Sequence, residues 1–335
     1  MCIRDSAPPS RHGIDLVRPL TTANARQATV DLRLGTPVTG LVSAGSRVVG
    51  VTAVTDGVEM ALSAPAVLLA ATGFAANAEM AARYIPEMAG APYFGGVHAD
   101  GGAIRWAQEL GAAVDHMTSY QAHSSIAIPD TMLVSTYLIN HGALQVNARG
   151  ERFGDETLTY ERHAAAVQAQ PDRTVVEIFD ARILQETLAN YPRFADCQAG
   201  GIVQRADSLA ELASIFELDP DILGTTLAAY EAACRRGHDA FGRTRFGEPL
   251  RAPFYGITVT SALVQTLGGL RIDARGQVLR TDGSPIPGLY AGGGTAAGFA
   301  GDRPEGYLAG MGLLAAFGLG WIAAKSIARD IALSS

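Results

Sequence analysis

The chain has 335 residues, 48% of them hydrophobic and 18% charged, which excludes a disordered polyelectrolyte and leaves ample material for a buried core. Its 26 basic residues are scattered against 33 acidic ones, for a net charge of −7, and this excludes a nucleic-acid surface built on a basic patch. Cys2, Cys197 and Cys234 lie far apart and the seven histidines never fall at HxxxH or HExxH spacing. A reducing, cytoplasmic setting is therefore expected, with no disulfide framework and no protein metal site.

In chain order, residues 1–6 (Met1-Cys2-Ile3-Arg4-Asp5-Ser6) back-translate to a transposon-end sequencing adapter read in frame. They are expected to be an assembly scar, with the natural protein starting upstream and any export signal out of reach. Residues 13–35 predict a helix, "GIDLVRPLTTANARQ", then a strand, "ATVDLRLG". The run from Pro37 to Gly73 alternates short β-branched stretches with Gly, Asp and Ser turns, predicting an antiparallel ribbon that returns to a buried strand over Ala66 to Ala71. "NAEMAARYIP" predicts a helix from near Asn77, and "GGAIRWAQELGAAV" an amphipathic helix entered through Asp100-Gly101-Gly102.

The texture turns more polar between residues 115 and 252, where "ADSLAELASIF" and "PDILGTTLAAYEAACRRG" predict helices and Ser208 with Glu211 forms a capping box. Strand and turn patterns return from residue 253. The division expected is residues 115–252 inserted into a nucleotide-binding domain made of 13–114 and 253–335.

Three stretches carry chemistry. "VLLAATGFAAN", residues 67–77, reads equally as an ordinary strand-turn-helix and as a strand end where Gly73 lets backbone approach a cofactor. "GLYAGGGTAAGFAG", residues 288–301, butts Gly292, Gly293, Gly294 and Thr295 onto an apolar strand, which suits a ligand turn better than a linker. "VNARGERFGDETLTYERHAAAV", residues 146–167, gathers Arg152, Glu156, Tyr160 and His163; by residue type alone it is a solvated hairpin and helix, although the Tyr160 hydroxyl could move a proton if its pKa were lowered.

The C-terminal run "EGYLAGMGLLAAFGLGWIAAK", residues 305–325, has three readings: a bilayer span, a GxGxxA fingerprint, or a buried helix aimed at a ligand. Too few residues follow for a fingerprint unit, and five glycines with no flanking basic cluster argue against a span, so no integral membrane segment is expected.

Seven motifs in order, "AATGFAANAEM", "ADGGAIRWAQELGA", "VNARGERFGDET", "GGIVQRADSLAELA", "PFYGITV" with "TLGGLRID", "GQVLRTDGSPIPGLYAGGG" and "GYLAGMGLLAAFGLGWIAA", resemble the FAD-dependent oxidoreductases of the fumarate reductase and succinate dehydrogenase flavoprotein superfamily. The resemblance implies an α/β fold: a Rossmann-like FAD-binding domain of glutathione-reductase type, incomplete at its N-terminus, with an inserted α+β capping domain. It implies FAD as cofactor, held by Ala71, Thr72, Gly73, Asp100, Gly101, Gly292, Gly293, Gly294, Thr295, Gly310, Met311, Gly312 and Leu313. The helix start at Gly310 to Leu313 would aim N–H groups at the flavin's pyrimidine carbonyl. The family's GxGxxG opening unit is expected upstream, so the chain as given could also be an inactive fragment.

Relative to fumarate reductases, the resemblance places Gln265 where a His is expected, and Tyr307 and Tyr160 where Arg residues are expected, while Arg182 lies out of register with the proton-donor Arg. Losing those cations disfavours a dicarboxylate. The two tyrosines are similar to those of 3-ketosteroid Δ1-dehydrogenases, which implies Tyr160 as the proton-handling residue and Tyr307 as the carbonyl anchor, with Glu156 and Gln265 beside them. A flavin enzyme transferring hydride at a CH–CH bond next to a carbonyl is expected, with a small-molecule substrate and an unidentified electron acceptor; the alternative is a reductase of an unsaturated organic acid.

Overall fold

A computed structural model describes residues 13–129, 131–134, 136–158, 160–191 and 193–334, the side chains of Tyr160 and Ser334 excepted. Residues 1–6, with Cys2, lie outside the described residues.

The predicted ribbon forms from three antiparallel strands, Val38–Ala44, Arg47–Thr55 and Val58–Ser63. Asp56 and Gly57, at φ 52° and 78°, make the second turn, the two positive values an Asp-Gly hairpin needs. The chain then enters the strand Val67–Leu69, which pairs in parallel with Pro285–Ala291; that strand pairs antiparallel with Gln277–Leu279 on its other side. Leu69, Phe74, Ile104, Leu289, Ala291 and Leu319 pack into the core around this sheet. Asn77 caps the helix Ala78–Tyr84 by accepting from Met80 N at 3.0 Å.

A six-stranded sheet fills the middle of the chain. Its central strand, Phe254–Thr266, pairs with Tyr120–Ala127 on one side and Thr174–Asp180 on the other. The expected division falls between residues 252 and 253; Phe254–Thr266, just past it, is hydrogen-bonded into the sheet of the intervening region, and its carboxyl end leads back toward the glycine motifs. Polar texture marks exposed turns, not which strand pairs with which. Alternation along Thr174–Asp180 sends Val175 and Phe179 to one core and Val176 and Ile178 to another, so both faces are covered. The capping box at Ser208 forms, Ser208 Oγ accepting from Glu211 N at 3.2 Å, while Glu211 Oε2 accepts from Asp207 N at 2.7 Å, one residue earlier than the pattern predicts.

The strand predicted over "ATVDLRLG" does not form. Val30, Leu32 and Leu34 keep the alternation but are 47%, 64% and 82% exposed, and the described residues give this stretch no hydrogen-bonded neighbour strand. A strand pattern without a partner yields no ladder.

The sheet buries a carboxyl. Glu177 Oε2 accepts from Ser125 Oγ at 2.7 Å and Gln145 Nε2 at 2.9 Å, while Oε1 has no hydrogen-bond partner among the described residues. Burial pushes its pKa up to about 7 against the two hydrogen bonds, from an ordinary value of 4.5. With the folded value raised, stability is full in acid and is lost as pH rises from 4.5 through about 7. Glu177→Gln is expected to shrink the fall in melting temperature between about pH 5 and pH 8 by about 5 °C in paired thermal melts; an unchanged fall would contradict the buried neutral carboxyl.

Candidate cofactor and substrate site

The backbone opens at the carboxyl end of Val67–Leu69: Ala71 and Thr72 are exposed while Gly73, Phe74 and Ala75 are buried. Thr72 adopts φ 60°, a left-handed conformation strained for a β-branched residue. Two distant threonines hold it there. The Thr295 hydroxyl accepts from Ala71 N and donates to Thr72 O, both at 2.9 Å, and Thr266 Oγ1 accepts from Phe74 N at 3.0 Å. Only glycine fits at position 73, since a Cβ there would stand 2.1 Å from Thr266 Oγ1 and 3.3 Å from Gly294 O.

The glycine run closes the second wall. Gly292 N donates to Leu69 O at 3.0 Å, and Gly293–Thr295 makes a 3₁₀ turn beyond it. The third wall is a helix, Met311–Leu333, capped by Gly310 at φ 95° and widened to a π turn over Ala315–Leu319. In its first turn Gly312 and Leu313 have N–H groups without intrahelical acceptors, at the positive end of the helix dipole. A Cβ on Gly312 would come within 3.0 Å of Gln265 Oε1, so the Gln265 amide seals this corner, held by its Nε2 donating to Gln121 Oε1 at 2.8 Å.

These walls enclose a cavity of about 240 Å³ whose described lining carries no charged side chain. Of the residues singled out by sequence, Thr72, Gly293, Gly294, Met311, Gly312 and Gln265 line it. Ala71, Gly73, Gly292 and Thr295 build its wall from behind through the contacts just described. Gly310 and Leu313 shape the helix start without lining the cavity. Asp100 and Gly101 also stand off it: Asp100 Oδ1 accepts from Gly102 N at 2.8 Å, Gly101 N donates to Gly73 O at 3.1 Å, and a Cβ on Gly101 would strike Met80. Thr266, Leu267, Phe299 and the π-turn residues Ala315 and Ala316 line the cavity as well and were not singled out. The helix is long and apolar enough to cross a membrane by length and composition; its first turns line this cavity and Ala315, Leu319 and Ala323 are buried, while Leu314, Phe317 and Trp321 on it are exposed, so the buried helix expected from the sequence is buried only in part.

A second cavity, of about 720 Å³, lies between the helix Tyr160–Gln168 and the loop 302–305. Leu158, Arg162, Arg303 and Tyr120 line it, and the Arg162–Glu305 ion pair spans 3.6 Å at its edge. Burial, then the charge of Glu87 and the hydrogen bond with it, hold the Tyr120 phenol above its ordinary pKa. His116 Nδ1 pairs with Asp302 at 2.7 Å and the Ser119 hydroxyl donates to Arg303 O at 3.3 Å, so this loop is tied to the residues that lead into Tyr120–Ala127.

Tyr160 opens its helix, and its side chain lies outside the described residues. Tyr307 follows the loop of the larger cavity and precedes the helix of the smaller one; its ring is 7% exposed and lines neither. Glu156, expected beside the two tyrosines, lines neither cavity. Burial alone would raise its pKa, but hydrogen bonds and charge from Arg152, with Arg243, hold it below the usual carboxylate value, so it stays an ion-paired anion. Arg182 Nη1 donates to His141 O at 3.4 Å and reaches neither cavity.

Residues 9–306 match the family described as the FAD binding domain. The chain belongs to that family. An NADH:fumarate oxidoreductase of Klebsiella pneumoniae (strain 342) is 31% identical over 277 residues, covering 81% of this chain and 29% of that protein. The open conformation of a flavocytochrome c3 fumarate reductase superposes with a TM-score of 0.81 at 26% identity, over 97% of this chain and 57% of the other. The 3-ketosteroid-Δ4-(5α)-dehydrogenase from Rhodococcus jostii RHA1, solved with 4-androstene-3,17-dione, superposes with a TM-score of 0.71 at 28% identity, over 94% and 64% of the two chains. The α/β FAD-binding fold is thus common to all three, and this chain spans between 29% and 64% of their lengths.

FAD is the family's cofactor, and the smaller cavity suits its ring system. The lining is neutral, and Gly293 and Gly312 leave space that a side chain would fill. Thr72, Gly293, Gly294, Met311, Gly312 and Gln265 are the residues that would hold the ring. Gly73→Ala is expected to destabilise the fold by about 1–3 kcal/mol through the clash with Thr266 and to lower bound flavin, read from the visible absorbance of the purified protein. Wild-type flavin content in that variant would contradict the account of the turn.

Proposed function

We propose that the chain carries the flavin and substrate faces of an oxidoreductase acting on a CH–CH bond next to a carbonyl. Bound FAD supplies a two-electron acceptor for hydride. The substrate loses a proton from the carbon beside its carbonyl and a hydride from the neighbouring carbon, and a C=C bond takes their place. The first-turn N–H groups at Gly312 and Leu313, with the positive end of their helix, favour the negative charge that reduction brings into the smaller cavity. Tyr160, at the head of the helix beside the larger cavity, takes the substrate proton, and Tyr307, which in sequence joins the loop of the larger cavity to the helix of the smaller one, is the proposed anchor of the carbonyl oxygen.

The observation that carries this reading is Gln265: an uncharged amide, held by Gln121 at 2.8 Å, stands beside the proposed flavin ring where the fumarate reductase resemblance expects a histidine, so that position offers a dicarboxylate no cation. A second reading, reduction of an unsaturated organic acid, is favoured by one feature, the Arg162 and Arg303 guanidinium groups on the larger cavity.

An anaerobic panel separates the two. Bleaching of the oxidised flavin by a 3-ketosteroid supports dehydrogenation, whereas reoxidation of the dithionite-reduced protein by fumarate and no bleaching by the ketosteroid supports the second reading. A protein that stays colourless with added FAD contradicts both. Tyr160→Phe is expected to lower the rate of flavin bleaching by at least about 100-fold with flavin still bound. Tyr307→Phe is expected to cut kcat/KM by about 10-fold. Full activity in either variant removes that tyrosine from the mechanism.

A further inference from the structure

The proposed reaction makes no use of four buried charges in the intervening region. Arg152, Glu156, Asp239 and Arg243 have side chains 6%, 1%, 7% and 0% exposed. Arg152 grips Glu156 with both arms of its fork, Nε to Oε1 and Nη2 to Oε2 at 2.7 Å each, and sends Nη1 to Asp239 Oδ2 at 2.7 Å. Arg243 Nη1 donates to Glu156 Oε2 at 2.9 Å, and its other donors reach the carbonyls of Ala143, Ile139 and Arg245. Its guanidinium lies 5.2 Å from the Tyr230 ring centre and 5.1 Å from that of Phe246. Two cations and two anions make the set neutral.

Such a set is a poor source of net stability, since desolvating each charge costs about as much as pairing returns. Its strength is geometry: planar forks fix what they bind in angle as well as distance. What is fixed is the segment 152–157. Beyond the quartet, Arg245 Nη2 donates to Thr157 O at 2.7 Å, and Asp155 Oδ1 accepts from both the N–H and the hydroxyl of Thr157. Three residues later the helix Tyr160–Gln168 begins, and Leu158 and Arg162 on either side of its start line the larger cavity.

We propose that residues 239–245 form a brace that sets the head of the helix Tyr160–Gln168 against the substrate cavity, with Arg243 as its buried anchor and Arg245 as its outer tether. Arg243 and Arg245 are positioning residues that act through Thr157 and Glu156. The inference rests on Tyr160 as the proton-handling group. Arg245 is exposed and its guanidinium donates to a backbone carbonyl, so its removal strands no buried charge.

The test uses the flavin-loaded full chain with 4-androstene-3,17-dione as probe. Arg243→Met leaves Glu156 short of a buried partner and is expected to lose thermal stability, so Arg245→Met carries the decision. Arg245→Met is expected to keep its flavin content and melting temperature, lower kcat for bleaching by about 10-fold with KM changed less than about twofold, and regain activity on Arg245→Lys replacement. Backbone amides of residues 160–164 are expected to exchange with deuterium about 10-fold faster in Arg245→Met, while those of Thr174–Asp180 do not change. Unchanged exchange together with unchanged kcat overturns the brace. If the wild-type protein is not bleached, the reading of Tyr160 fails on its own, and the exchange measurement alone then decides the brace.

Discussion

The approach of Gly73 to Thr266 is the contact on which the rest of the site depends. There the carboxyl end of the parallel strand, the last residues of the longest antiparallel strand and the glycine run at Gly292 to Gly294 come within a few ångströms. Thr266 Oγ1 occupies the space a Cβ at position 73 would need, and Thr295 bonds the residues just before it. Two hydroxyl groups, 192 and 224 residues away from the amides they bind, thus hold Thr72 in a conformation its own side chain disfavours. The strain is sustained because the surroundings over-determine it. Exposed backbone at Ala71 and Thr72 is the result, on the rim of a cavity sized for a flat ring.

The two halves treat charge in opposite ways. Around the smaller cavity, polarity comes from backbone N–H groups, a carboxamide pair and hydroxyls, all of which are fixed dipoles. In the intervening region, by contrast, full charges are buried and cancelled against one another. Burial would push the Asp239 carboxyl up, yet its hydrogen bond from Arg152 and those from the backbone hold it below its ordinary value, and His163 nearby is kept neutral by burial despite Glu156.

Sequence reveals this arrangement unevenly. The glycine runs are legible as composition, although the residues that crowd Gly73 and Gly312 are far off in sequence, and the helix caps at Asn77 and Ser208 are legible because the donor and acceptor are a few residues apart. Strand partnership is not legible, as Phe254–Thr266 shows: its pattern predicts a strand without saying which sheet receives it. The same holds for Val30, Leu32 and Leu34, where alternation exists and a ladder does not. Glu156 joins the site residues only by resemblance, and its ion pair with Arg243, 87 residues later, is not legible in its own stretch. Tyr307 is conspicuous as a substitution in a glycine-rich motif, but nothing in that motif announces that the residue is buried. The π turn at Ala315–Leu319 has no signature in a run of Ala, Phe, Gly and Leu, although it supplies two residues of the cavity wall.

The central claim is that the neutral cavity between Thr72, the glycine run and the helix at Gly312 receives the flavin ring. Equilibrium dialysis of the wild-type chain and Gly312→Leu against FAD tests it most directly, because a leucine there fills the corner beside Gln265. The account predicts saturable binding by the wild type and a Kd raised by at least about 100-fold in the variant, with the melting temperature of the flavin-free protein little changed. Equal affinity in the two proteins would place the flavin elsewhere and contradict the account.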